Sequence, residues 1–204
     1  MKNFHKFKKR TSMKFLTKPK AAVFALLISL SSYGQEEING VNIPKSKTNE
    51  VNTELQINGA GTREKLWMDL YVASLYVENQ GESAESYYNS DQQITIHIET
   101  TSSLITAEKM SGAIEDGFEK SVKNPSSDLS EKLDSFTKLL LQGEVESGTT
   151  YTFSYAEDTT YIYIDGEEIS QVKGQDFKAA LFGIWLCEKP ADKNLKKAFL
   201  KGEL

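Results

Sequence analysis

A single cysteine, Cys187, in 204 residues leaves no internal disulfide to form. It closes the apolar run IWLC, where a small buried hydrophobe is its expected role. Histidine is almost as scarce, with His5 and His97 the two copies, and HxH, HExxH and CxxC patterns are all missing. The sequence therefore offers no His/Cys ligand set for zinc or another transition metal, and no base beside a thiol for a cysteine protease. Neither a metal nor an organic cofactor is expected. Long apolar runs are lacking too. The N-terminal run, Ala21 to Leu30, is ten residues, too few to cross a bilayer as a helix. There are no internal repeats and no low-complexity tract.

What stands at the N-terminus is a pattern of a different kind. Residues 1–20 hold eight Lys/Arg and no acid, the apolar stretch follows, and then come Ser31, Ser32, Tyr33, Gly34 and Gln35. A basic region, a short apolar region and small residues in that order make a secretory signal. It spans residues 1–34, with cleavage near Gly34/Gln35, and sends the chain to the periplasm or the exterior. A start at Met13 gives the signal a more ordinary length. No cysteine follows the apolar stretch, so no lipoprotein anchor is expected. Cleavage removes eight of the 24 basic residues and none of the 29 acidic ones, leaving 16 against 29, a net charge of −13. That excess of acid argues against nucleic acid and anionic membrane surfaces as partners. The roughly 170 residues left are one domain's worth.

Residues 35–53 are polar and read as a leader or linker, with one possible short strand at Val41–Ile43. The domain proper is expected over 54–204. Gly59 and Gly61 predict a turn that leads into a strand over 65–78, apolar at both parities and hence covered on both faces. SAESYYNS (83–90) predicts a short helix, and ITIHIETT an alternating strand with His97 on its polar side. Thr106 caps a helix running to about Lys123, and Asp128 with Glu131 reads as the capping box of the next. Residues 149–158 and 159–166 make a hairpin turning at Glu157-Asp158, and Asp165-Gly166 signals a second turn, with a further strand at 167–172. Gly174 opens an apolar helix to Cys187, and Asp192 caps a last short one. Strands, a helical pair, a hairpin and two helices give an α+β fold, an antiparallel sheet covered by helices.

Arg63, at the mouth of a covered strand, needs an anion. Asp69 and Glu64 are the protein carboxylates within reach in sequence, and a ligand is the alternative. No pair of acids stands out for acid–base work.

Three blocks carry a resemblance: NGAGTREKLWMDLYVASLYV (58–77), ITAEKMSGAIEDGFEKS (105–121) and GQDFKAALFGIWLCEKPADKNLKKAFLKG (174–202). Together they resemble the chalcone-isomerase-like family, in its secreted bacterial branch. The resemblance implies an open-faced β-sandwich, a curved antiparallel sheet backed by helices with a pocket between. The plant isomerases place an arginine, a threonine, a tyrosine and an asparagine in that pocket. Arg63 stands at the arginine position and Tyr71 at the threonine position. Thr106 and Ala113 fall where the tyrosine and asparagine would be, so those two groups are missing. Arg63 with Tyr71 is similar to the pair by which the family's fatty-acid-binding members hold a carboxylate. The resemblance thus implies a non-catalytic protein holding a small apolar carboxylate such as a fatty acid. Arg63, Tyr71, Thr106, Met110 and Ala113 are its expected site, with Ile114, Phe118 and Leu181 beside the tail. The alternatives are an isomerase of the intramolecular-lyase type and a cell-envelope interaction protein with no ligand.

Overall fold

The computed structural model describes residues 36–202, and the expected signal, residues 1–34, lies outside the described residues. Strands β1 (Glu36–Ile38) and β2 (Val41–Ile43) form a small hairpin. Seven further strands make one antiparallel sheet in chain order. They are β3 (Ser46–Thr48), β4 (Glu54–Lys65), β5 (Met68–Val77), β6 (Ile94–Thr100), β7 (Thr150–Ala156), β8 (Thr159–Ile164) and β9 (Glu167–Lys173). Helix α1 (Ala84–Asn89) lies between β5 and β6, α2 (Ala107–Ser121) and α3 (Ser127–Leu140) between β6 and β7. Helices α4 (Gln175–Leu186) and α5 (Lys193–Phe199) end the chain. The sheet curls into a half-barrel, and the fold is α+β as expected.

Alternation sends Ile94, Ile96 and Ile98 of β6 into the main core, while Thr95 and His97 face the other way. Helix α4 is buried on nearly every side, carrying Phe177, Ala180, Leu181, Phe182, Ile184 and Trp185 into that core. Two glycines bring α2 against it. A Cβ on Gly117 would lie 2.7 Å from Ile184, and one on Gly183 would lie 2.8 Å from Ser121. Thr106 caps α2, its hydroxyl accepting from the Lys109 amide. The cap of α3 is Ser126, rather than the expected box of Asp128 and Glu131. Asp128 instead pairs with Lys132 one turn on, at 2.8 Å.

Two expectations need correction. Residues 36–53 are part of the fold and not a linker. Strand β3 is an edge of the sheet, and Val41 and Ile43 pack with Leu55, Ile57, Ala60, Val72 and Tyr76 in a second core on the outer face. With Ile38 packed beside them, three apolar residues among polar ones suffice because the sheet supplies the other half of that core. The second correction concerns Gly59 and Gly61. They make no turn, lying inside the twelve-residue β4. Their lack of a side chain admits α5, since a Cβ on Gly59 would overlap the Ala198 carbonyl oxygen and one on Gly61 would lie 2.8 Å from Ala198 Cβ. The turn falls at Leu66–Trp67, both at positive φ.

Candidate functional site

Moving the turn changes what Arg63 meets. On one continuous strand, Arg63 and Tyr71 would lie about 26 Å apart at ~3.3 Å per residue. Across the β4–β5 hairpin they are direct partners in register. Side chains of such a pair share one face, and the Arg63 Cζ lies 5.7 Å from the centre of the Tyr71 ring. A step in register between Arg63 and Glu64 marks a bulge just before the turn.

Helix α4 adds the third member. Trp185, stacked on Phe153 with ring centres 6.0 Å apart, donates its indole N–H to Tyr71 Oη at 2.8 Å. Arg63 donates to the same oxygen at 3.5 Å. Trp and Arg have donors only, so both contacts fill acceptor positions of the phenol. No described residue accepts the Tyr71 hydroxyl proton. Neither carboxylate expected as an alternative partner reaches Arg63. Asp69 accepts from the Asn39 side chain at 3.0 Å, and the ion pairs among the described residues are both made by Lys132.

Arg63 and Tyr71, with Trp185 buried behind them, face a cavity of about 560 Å³ between the β4–β5 hairpin and one side of α2. Leu70, Ile105, Met110 and Ala113 make its apolar wall. Arg63, Lys65, Lys109 and Lys120 supply four positive charges against the one carboxylate of Asp116. An acidic protein has thus gathered cations around one concavity. A second groove of about 620 Å³, between α2 and α3, is lined by the three carboxylates of Glu115, Glu119 and Asp134 against the one cation of Lys123.

Of the residues expected at the site, Arg63, Tyr71, Met110 and Ala113 line the first cavity. Thr106 does not, and its hydroxyl caps α2, accepting from the Lys109 amide. Ile114, Phe118 and Leu181 belong to the packed core rather than to the cavity wall. Trp185 is the member that sequence reasoning misses. A lone indole in a buried helix must find an acceptor for its N–H, but the sequence does not say which.

The sequence profile of the chalcone isomerase-like family matches residues 35–201. The chain belongs to that family. No curated protein sequence matches it. Among solved structures, this chalcone isomerase-like chain is similar to the fatty-acid binding protein of Arabidopsis thaliana, with a TM-score of 0.64 at 18% identity. The match covers 82% of this chain and 95% of the plant protein. A likeness at that identity is one of fold. It accounts for the curled sheet and the helices on its inner face.

Proposed function

We propose that the protein is an exported, non-catalytic binder of an apolar carboxylate such as a fatty acid, held by Arg63 and Tyr71. The observation that carries this reading is the direction of proton donation. The Arg63 guanidinium and the Tyr71 hydroxyl converge on one cavity, where the described residues offer the guanidinium no carboxylate, only a long 3.5 Å contact to the phenol oxygen, and offer the phenol proton no acceptor. A carboxylate satisfies both, accepting two parallel bonds from the guanidinium and a third from the phenol. Its tail would run along Leu70, Ile105, Met110 and Ala113, gaining about 0.8 kcal/mol per CH₂ buried. A volume of 560 Å³ falls within the roughly 300–1,000 Å³ usual for small-molecule sites. The fatty-acid binding protein of Arabidopsis thaliana, alike in fold, supports the ligand class. The cavity's lack of a tyrosine or asparagine on α2 supports binding without chemistry. The basic and apolar pattern of residues 1–34 supports export.

The test is to purify the chain from Gln35 without detergent, denature it, extract it and identify released acids by mass spectrometry. Near-stoichiometric fatty acid is expected from wild type and little from Arg63→Ala. Added palmitate should bind Arg63→Ala at least about tenfold more weakly, the loss of a charge-assisted bidentate contact, with an unchanged circular-dichroism spectrum. Tyr71→Phe should show a smaller loss. Equal affinity in wild type and Arg63→Ala would sink the assignment.

A further inference from the structure

Four two-residue loops join neighbouring strands: Asn39–Gly40, Leu66–Trp67, Glu157–Asp158 and Asp165–Gly166, each with both φ angles positive. Such a loop needs left-handed backbone twice, which is why Asn, Asp and Gly dominate it. Three of the four are built from polar residues and glycine. The β4–β5 loop is not. Leu66 (φ 49°) and Trp67 (φ 60°) bring bulky apolar side chains to the backbone conformation that suits them least. Burial offers no compensation, since Trp67 is 92% exposed and Leu66 66%. A loop that is strained in its backbone and apolar toward water gives nothing to the isolated fold, and such strain collects where something else is met.

Its surroundings say what that is. Among the described residues four large apolar side chains are exposed, and three of them are Leu66, Trp67 and Leu104. Leu66 and Leu104 line the mouth of the 560 Å³ cavity, as do the exposed Lys65 and Lys109, and Trp67 sits between two lining residues, Leu66 and Met68. We propose that this loop is a bilayer-docking tip: Leu66 and Trp67 enter the interfacial layer of a lipid membrane and bring the cavity mouth to its surface.

A protein partner fits the tip poorly. Three side chains do not furnish the roughly 800 Å² that each side of a stable protein interface contributes. Insertion by about 5–10 Å into the boundary of headgroups and acyl chains asks for no more than such a tip. Tryptophan suits that layer, having an apolar ring and one N–H. Lys65 and Lys109 can lay their stems along the tip with their ammonium groups among phosphates. The acid excess of the whole molecule opposes anionic surfaces, so the membrane is one of zwitterionic lipid. An apolar carboxylate dissolved there would reach the cavity without crossing water. That last step, unlike the docking, rests on the carboxylate site proposed above.

The test uses the chain from Gln35, phosphatidylcholine vesicles and the variant Trp67→Gly. Wild type should float with the vesicles, and vesicles with brominated acyl chains should quench part of its tryptophan emission, the buried Trp185 giving the unquenched remainder. Trp67→Gly should partition at least about tenfold more weakly. It should melt at an equal or higher temperature, since glycine suits the loop, so a loss of flotation would not be a loss of fold. A soluble fluorescent fatty acid, titrated without vesicles, should bind both proteins alike. Flotation without probe binding would remove the carboxylate reading and keep the docking. Wild type that fails to float, or floats no better than Trp67→Gly, overturns the proposal. So would a concentration-dependent dimer lost in Trp67→Gly, which would give the tip to a second copy.

Discussion

A guanidinium beside a phenol can be a structural pair or half of a binding site, and what separates the two at Arg63 is where the protons point. Trp185 supports the binding reading at Tyr71, because an indole only donates and so turns the hydroxyl proton elsewhere. His97 shows the opposite case, a polar group fully absorbed by the fold. Its Nδ1 meets Thr152 Oγ1 at 2.8 Å on the outer face of the sheet. Burial, and then the nearby Lys47 ammonium, pull its pKa from 6.5 down to about 4. Above pH 6.5 the imidazole is neutral in both folded and unfolded chains. As pH falls from 6.5 toward 4 the unfolded chain binds a proton that the folded one refuses, so stability is lost through that window. Urea unfolding should show wild type losing about 1–2 kcal/mol more than His97→Gln between pH 7 and pH 5. Equal losses would mean that His97 is hydrated in the folded state.

Elements are legible where a local signal is also the physical cause. The isoleucine alternation in β6, the Thr106 cap, the Glu157-Asp158 and Asp165-Gly166 turns and the apolar α4 all stand where the sequence places them. Gly59 and Gly61 mislead because glycine serves two ends, freedom in φ and room for a neighbour, and only the tertiary fold tells which. The true turn is hidden because Leu-Trp is chemistry that no turn rule selects. That turn is what makes Arg63 and Tyr71 neighbours, so these two residues of the candidate site can be named from sequence while the geometry joining them, and Trp185 behind them, cannot. The packing role has a measurable cost. Gly59→Ala pushes a methyl into the Ala198 carbonyl, so α5 must shift, with an expected loss of about 2–3 kcal/mol in denaturant unfolding. Gly112 on α2 is the contrast, since a methyl added there would meet nothing within 4 Å. There Ala should gain roughly 0.5–1 kcal/mol from helix propensity alone. If both glycines responded alike, close packing of α5 would not be the reason for Gly59.

On the scale of the whole molecule the curled sheet has two cores with different tasks. The inner one holds the helices and, at one end, the cavity. The outer one is closed by residues 36–48, which composition alone assigns to a linker because an isolated stretch of that polarity could not fold. It does not fold alone. The Pro44 carbonyl accepts from Tyr76 Oη at 3.0 Å, the Lys45 carbonyl accepts from the Ile57 amide at 2.9 Å, and Ile43 is 1% exposed. A linker residue can be truncated freely, whereas a fully buried isoleucine cannot. Ile43→Ala should therefore cost about 2–5 kcal/mol of stability, a large share of the ~5–15 kcal/mol that holds a domain of this kind together. Because the outer core lies across the sheet from the cavity, the palmitate affinity of the fraction that stays folded should not change. Unfolding curves of Ile43→Ala and wild type that coincide would return residues 36–53 to the status of a linker. A stability loss accompanied by an equal loss of palmitate binding in the folded fraction would show instead that the two faces of the sheet are coupled.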